Sequence, residues 1–275
     1  MSGAVTRNNV RLSGSAGPPM LFAHGYGCDQ TMWRYVAPRF EHDHRIVQFD
    51  HVGFGGSDRS AWDPVRHATL AGYADDLLDI VRELDLRDIV FVGHSVSAMI
   101  GALAAMAEPD RFTHLVFIGP SPRYIDEPAT GYVGGFGEQD IHDLIEALDS
   151  NVLSWSTAMA PVIMGNVDRP ELAAELADSF CRIDQEVAQT FVRATFLADN
   201  RADLPRISAP TLILQCREDA IAPVAVGEYV RDHVPTSELV LLDATGHCPN
   251  LSAPDETSAA IREYLTVAGA GRSSS

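Results

Sequence analysis

Lysine is absent from the 275 residues: all 20 basic side chains are arginines, set against 38 acidic ones for a formal net charge of −18. Without that amine there is no Schiff-base lysine, no pyridoxal-phosphate anchor and no phosphate-loop lysine, so those enzyme classes are excluded. The acidic excess argues against nucleic acid as a partner, because such binders neutralise phosphates with clustered positive charge. Codon bias towards arginine, or adaptation to salt, explains the missing lysines without any functional cause. Cysteine is also sparse. Cys28, Cys181, Cys216 and Cys248 are widely spaced with no C-x-x-C pair, so neither a zinc site nor a redox motif is expected. Unpaired thiols of this kind fit a cytoplasmic chain. The first nine residues hold no apolar run, and no stretch reaches the roughly 18 apolar residues of a membrane span. The expectation is a cytoplasmic protein with neither a signal peptide nor a membrane partner.

What is present, 46% hydrophobic and 21% charged residues over this length, suits one large α/β domain or two small ones. Short apolar runs at 20–23, 45–49, 88–92 and 114–118 read as strands buried on both faces. Apolar residues at helical spacing fill 31–40, 69–84 and 98–107 between them. This alternation predicts an α/β fold with a mostly parallel central sheet, right-handed crossovers and helices on both faces. From 123 to 200 the rhythm stops, leaving helical patterns at 140–153, 155–164, 170–182 and 185–198. Strands resume at 210–215 and 238–242, with helices at 224–233 and 254–267, the last capped by Ser252 or Asp255. Residues 268–275, rich in Gly and Ser, read as a flexible tail. The expected organisation is a core of 1–122 and 201–267 interrupted by a helical lid at 123–200. Such a lid would cover the carboxyl ends of the strands, where open α/β sheets bind ligands.

Gly93-His94-Ser95-Val96-Ser97 follows the strand at 88–92 directly and runs into the helix at 98–107. Strand, sharp turn and helix together are the setting of a nucleophile elbow, with Ser95 at its apex. The tight turn needs small neighbours; Gly93 is one, while Ser97 stands where the general pattern has glycine. A serine hydroxyl also needs a base to take its proton and a third group to hold that base in the right tautomer. In such folds the chain order is Ser, then acid, then His. Asp219 sits just past the strand at 210–215 and His247 just past the one at 238–242, so all three candidates lie at carboxyl ends of strands. Glu218 is the rival acid. Among the other histidines, His94 is held beside the nucleophile and cannot turn to it. His42, His44, His67 and His233 fall on helices or surface turns and are expected to be solvated.

His24-Gly25-Tyr26-Gly27 follows the strand at 20–23, and its glycines let the backbone run close to the nucleophile. The amides of Tyr26 and Val96 are then placed to form an oxyanion hole. The glycine-rich run at 50–58 lacks the G-x-G-x-x-G spacing, so it reads as support for the active-site edge. No metal or other cofactor is called for, since three side chains and two amides supply nucleophile, base and electrostatic stabilisation.

These motifs resemble the α/β-hydrolase superfamily across about residues 18–267. Within it the chain is most similar to the branch of the bacterial stress-response regulator RsbQ and the plant karrikin and strigolactone receptors. The run from Val92 to Gly101 matches the plant receptors nearly letter for letter, Ser97 included. Gly27-Cys28-Asp29-Gln30, Gly119-Pro120-Ser121-Pro122, Leu214-Gln215-Cys216 and Gly246-His247-Cys248-Pro249 are similar to the bacterial regulator. The resemblance implies a Ser95, His247, Asp219 triad, an oxyanion hole from Tyr26 and Val96, and a lid of four helices in two hairpins over a mostly apolar pocket. By position it implies Tyr26, Tyr124, Phe136, Trp155, Met159 and Phe196 as pocket residues. Tyr26 replaces the Phe common in relatives and is expected to add a hydroxyl at the pocket mouth.

Two functions of different classes follow. One is a serine hydrolase that cleaves a small, largely apolar ester or lactone through an acyl-enzyme. The other is a signalling protein that binds or slowly hydrolyses a hydrophobic small molecule and acts through a protein partner. Dehalogenation would need a carboxylate where Ser95 stands, whereas carbon–carbon hydrolysis and perhydrolysis would use the same triad.

Overall fold

The central strands lie wholly out of reach of water: every residue of Pro19–Ala23 and Ile89–His94 is buried. The computed structural model describes residues 3–14 and 16–272. Among them are seven strands: β1 (Arg11–Gly14), β2 (Pro19–Ala23), β3 (Arg45–Gln48), β4 (Ile89–His94), β5 (Phe112–Ile118), β6 (Thr211–Glu218) and β7 (Ser237–Thr245). They make one sheet in the order β1-β3-β2-β4-β5-β6-β7. Every neighbouring pair is parallel except β1 and β3. The helices are α1 (Ala4–Arg7), α2 (Leu70–Glu83), α3 (Val96–Ala107), α4 (Glu138–Ser150), α5 (Val152–Met164), α6 (Pro170–Cys181), α7 (Gln185–Phe196), α8 (Val224–His233), α9 (Pro249–Ser252) and α10 (Pro254–Arg272). No helix among the described residues is long and apolar enough to cross a membrane.

Alternation along β4 shows how one strand serves two cores. Phe91 points into the layer that holds Leu77 and Ile80 of α2 and Met99 of α3. Val90 and Val92 point the other way, towards Trp33, Phe40 and Ile261 of α10. Side chains of a strand leave its two faces in turn, so a strand between helical layers must be apolar throughout. Burying one such large apolar side chain contributes about 1.5–3 kcal/mol.

Several elements depart from the sequence reading. Residues 31–40 do not form one helix but two short 3-10 turns, Gln30–Trp33 and Ala37–Phe40. Pro38 is the reason: it has no N–H to give, and its ring obstructs the carbonyl four residues back. The elements β1 and α1 were not expected, because all four β1 residues are exposed and show no alternation. Pairing with β3 makes that segment a strand. The tail assigned to 268–275 begins inside α10, which continues to Arg272, and its last three residues lie outside the described residues.

Four helices, α4 to α7, stand between β5 and β6. The helix α5 packs along α6, and α4 touches both α5 and α7. Asn151 ends α4 and begins α5, its side chain accepting from Ser154 N at 2.9 Å. Asp184 does the same for α7 by accepting from Glu186 N at 2.9 Å. These caps satisfy amides that have no partner inside the helix.

Candidate active site

Ser95 lies between the end of β4 and the start of α3 with φ +56° and ψ −125°. A non-glycine residue in such a region costs on the order of 1–3 kcal/mol and persists only where its surroundings over-determine it. Here Ser95 N donates to Ile118 O at 2.8 Å, and Ala98 N donates to Ser95 O at 2.9 Å. A side chain at Gly93 would begin 2.7 Å from Ser97 O, which is why the turn takes glycine there. The sharp turn lifts the Ser95 hydroxyl off the sheet.

Asp219 and His247 reach it from the ends of β6 and β7. His247 Nε2 is 2.8 Å from Ser95 Oγ, and His247 Nδ1 is 2.7 Å from Asp219 Oδ2. The other carboxylate oxygen of Asp219 accepts from Ile221 N at 2.8 Å and Ala222 N at 3.0 Å. Burial opposes ionisation of Asp219, but the His247 ring and those two amides outweigh it and hold the carboxyl below its usual range. An ionised Asp219 accepts from Nδ1–H, so Nε2 of neutral His247 is left bare towards Ser95. Glu218 instead turns to Thr245, whose hydroxyl donates to it at 3.2 Å. Of the two acids, only Asp219 touches His247.

The other histidines divide by environment. His94 donates from Nε2 to His247 O at 2.7 Å, and burial pushes its pKa down to about 3. A neutral ring 5.0 Å from His247 adds no positive charge to oppose protonation of the base. His67 is a correction: it is buried, not solvated, with Nε2 2.8 Å from Asp76 Oδ2. The cause is the 3-10 turn Arg66–Ala68, which packs against α2 and α7 and carries the ring beneath the surface. His42 and His233 are exposed and His44 is half-buried.

The loop after β2 comes close to the nucleophile. A methyl group at Gly25 would fall 2.4 Å from His94 Nδ1 and 3.3 Å from Ser95 Cβ, so only glycine allows this approach. Cys28 N donates back to Gly25 O at 3.3 Å and closes the turn that presents the Tyr26 amide. Neither Tyr26 N nor Val96 N, the first amide of α3, has an acceptor among the described residues. The Asp50–Asp58 run wraps a carboxylate. Asp50 accepts from Gln30 N, Asn9 Nδ2 and Gly56 N at 2.7–2.8 Å, tying this run to the 25–30 loop.

Above these groups lies a narrow cavity, walled by the core on one side and by α5, α6 and α7 on the other. Of the pocket residues read from the sequence, Tyr26, Tyr124, Trp155, Met159 and Phe196 line it. Phe136 does not: it stands behind Phe196, ring centroids 6.3 Å apart, where the bridge between Ile125 and Phe136 holds it. The Tyr26 hydroxyl is also not at the pocket mouth. Its ring stacks on Phe191 at 5.7 Å, and the hydroxyl donates to Ala188 O of α7 at 3.1 Å. Residues missed from the sequence include Cys28, Leu176, Phe180, Thr195, Ile221 and Cys248. Cys28 and Cys248 stand inside motifs already singled out, next to Gly27 and His247, and the i, i+4 pair Leu176 and Phe180 marks the inner face of α6. Burial raises both thiols, Cys28 to about 12, so they remain protonated apolar lining.

Besides Ser95, His94 and His247, three polar groups interrupt the apolar part of this lining. The Tyr124 hydroxyl is 3.4 Å from Ser95 Oγ, and burial pushes its pKa up to about 12, so it stays a neutral phenol. Thr195 Oγ1 and Trp155 Nε1 are buried without a hydrogen-bond partner. Chemically, the arrangement can activate a hydroxyl, hold a developing oxyanion and enclose a ligand that is apolar except at a few hydrogen-bonding points.

The sequence profile described as the alpha/beta hydrolase family matches residues 20–260. The chain is 36% identical to karrikin insensitive 2 receptor CA of Petunia hybrida over 249 residues, covering 90% of this chain and 92% of that one. It is 35% identical to strigolactone esterase D14 of Arabidopsis thaliana over 258 residues, covering 94% and 96%. A solved hydrolase structure from Oleispira antarctica superposes with a TM-score of 0.93 at 38% identity, covering 96% of both chains.

Proposed function

The chain belongs to the alpha/beta hydrolase family, and from that premise we propose that it is a serine hydrolase acting on a small, largely apolar ester or lactone, with Ser95, His247 and Asp219 as its catalytic triad. The observation that carries this reading is the unbroken run from Asp219 Oδ2 through both ring nitrogens of His247 to Ser95 Oγ, at 2.7 and 2.8 Å. Each contact has the polarity that proton removal requires.

Ser95 Oγ attacks the substrate carbonyl carbon as its proton passes to His247 Nε2. The carbonyl oxygen becomes an oxyanion held by the amides of Tyr26 and Val96. His247 then returns the proton to the leaving alkoxide, the C–O bond breaks, and an ester of Ser95 remains. In a lactone the released alcohol stays attached to the acyl chain. A water deprotonated by His247 repeats the sequence, freeing the acid and restoring the Ser95 hydroxyl. The helices α4 to α7 act as the lid, excluding bulk water and so strengthening each electrostatic contact inside. The unpartnered Thr195 hydroxyl and Trp155 N–H favour a substrate with an acceptor oxygen away from the scissile bond, since an occupied pocket then leaves fewer buried polar groups unpaired. The expected behaviour with an activated aryl ester is a burst of about one aryl alcohol per enzyme, with the acyl mass on the peptide containing Ser95. A steady release with no acylated Ser95 would refute the covalent route.

A second reading keeps the same pocket and adds a protein partner. It is supported by the likeness to a protein named karrikin insensitive 2 receptor CA over nine-tenths of both chains. In that case the ligand turns over slowly and promotes binding to a signalling protein whose docking surface is neutral or basic, to suit the net charge of −18. Such a complex is expected to weaken as salt rises from 50 to 500 mM, roughly a threefold shortening of the screening length. Fast turnover of one ester at kcat/KM above about 10⁴ M⁻¹s⁻¹, with no ligand-dependent partner, would oppose it.

A further inference from the structure

Behind the nucleophile lies a closed ring of buried hydrogen bonds that the mechanism above does not use. Ser97, fully buried in the first turn of α3, donates its hydroxyl proton to His24 O. His51 Nε2 is 2.8 Å from Ser97 Oγ. His51 N donates to His24 Nε2 at 3.0 Å, and His24 Nδ1 is 2.9 Å from Gly25 O. All three side chains are at most 1% exposed.

The proton positions follow from counting. A carbonyl only accepts, so the single Ser97 proton goes to His24 O, and Ser97 Oγ must accept from His51. His51 therefore carries its proton on Nε2. His24 Nε2 receives an amide N–H and must be bare, so the His24 proton is on Nδ1 and goes to Gly25 O. Both imidazoles are neutral, and burial lowers the pKa of each. A second proton would set two donors against each other at His24, or bury an N–H at His51 Nδ1, which has no partner. The cost of the arrangement is that one unpaired lone pair.

Each end of the ring leads to one oxyanion donor. His24 O and Gly25 O belong to the loop that presents the Tyr26 amide, and Gly25 O is held by both His24 Nδ1 and Cys28 N. Ser97 follows Val96, whose amide is the other donor. We infer that Ser97 is a positioning residue for the oxyanion hole, its hydroxyl joining the Tyr26 loop to α3 and setting the separation of the two amides. A glycine at this position leaves the loop and the helix in contact but removes the bond between them.

This inference rests on the serine-hydrolase reading, and Ser95→Ala measured in parallel separates the two. The variants are Ser97→Gly, the residue of the general elbow pattern, and Ser97→Ala, which keeps more of the volume. With an aryl ester, kcat should fall about 10- to 100-fold, less than the roughly 10²–10³-fold loss when an oxyanion donor is removed outright. KM and the inhibition constant of the product acid should change less than twofold. Affinity for an aryl boronic acid, which forms the tetrahedral adduct on Ser95, should fall by the same factor as kcat/KM. The pH profile of the residual activity should keep the wild-type midpoint, because the Ser95–His247–Asp219 contacts are untouched. Folded Ser97 variants with wild-type kcat and boronate affinity would overturn the inference. So would equal loss of boronate and product-acid affinity, which is the mark of general structural damage. If Ser95→Ala hydrolyses the ester like wild type, the hydrolase reading fails first, whatever Ser97 does.

Discussion

Replacing Ser95 with alanine is expected to lower kcat on an aryl ester by about 10⁶-fold, the scale on which a triad fails when its nucleophile is removed. The hydroxyl's two hydrogen-bonding neighbours, His247 Nε2 at 2.8 Å and the Tyr124 hydroxyl at 3.4 Å, belong to the reaction centre and not to the core. The backbone bonds that hold the turn, Ser95 N to Ile118 O and Ala98 N to Ser95 O, need no side chain. Circular dichroism and the thermal midpoint should therefore match the wild type while turnover falls on that scale. Ligand affinity should persist, because the aromatic walls of the cavity and the two oxyanion amides are unchanged. Residual hydrolysis above the uncatalysed rate is expected, since positioning and electrostatics survive loss of the nucleophile. A folded Ser95→Ala protein that turns over esters at the wild-type rate would exclude Ser95 as nucleophile.

Asp219→Asn is expected to cost about 10⁴-fold in kcat with little change in KM, and the reason is a tautomer. Two amides, Ile221 N and Ala222 N, point at Asp219 Oδ1, so an asparagine must place its carbonyl oxygen there. Its NH₂ then faces His247 Nδ1, which must accept and can no longer donate. The His247 proton moves to Nε2, where it faces Ser95 Oγ and blocks proton removal. The same NH₂ also meets Gln215 Nε2, a second donor, which lies 3.3 Å from Asp219 Oδ2. Stability should respond to pH as well. Asp219 has a folded pKa below its unfolded value, so its contribution is complete above the ordinary carboxylate range and is lost as pH falls through the lowered pKa. Unfolding curves at pH 7 and at pH 3 should therefore differ less for Asp219→Asn than for the wild type. Equal kcat values, or an unchanged difference between the two pH values, would remove Asp219 from its assigned place.

Much of this site was legible because its signals are local. A buried strand that ends in Gly-His-Ser and opens directly into a helix can turn in few ways, and Ser95 occupies the apex. Asp219 and His247 each follow an apolar strand run, so a parallel sheet carries both to the edge where Ser95 stands. The helices between β5 and β6 were also readable, since their apolar spacing is a property of each segment alone. The failures share a different cause. Pro38 divides a run whose apolar spacing alone reads as helical. The strand β1 has no pattern of its own and exists by pairing with β3. His67, Phe136 and the Tyr26 hydroxyl were misplaced because their neighbours, Asp76, Phe196 and Ala188, are not set by local spacing.

By itself, the sequence determined which chemistries are open. It has no lysine amine for a Schiff base or a phosphate loop, and it carries a serine, an acid and a histidine in the order and settings of an α/β-hydrolase. Only the tertiary structure decided that Asp219 and not Glu218 meets His247, that the Tyr26 hydroxyl anchors α7, and that Ser97 joins two loops through His24 and His51. The physical reason is distance along the chain. Backbone direction and periodicity are set within a few residues, whereas Ser95 and His247 are 152 residues apart and Tyr26 and Ala188 are 162 apart. Which of several chemically able side chains becomes the partner is settled by how the layers pack, and a hydrogen bond tolerates an error of only a few tenths of an ångström in that packing.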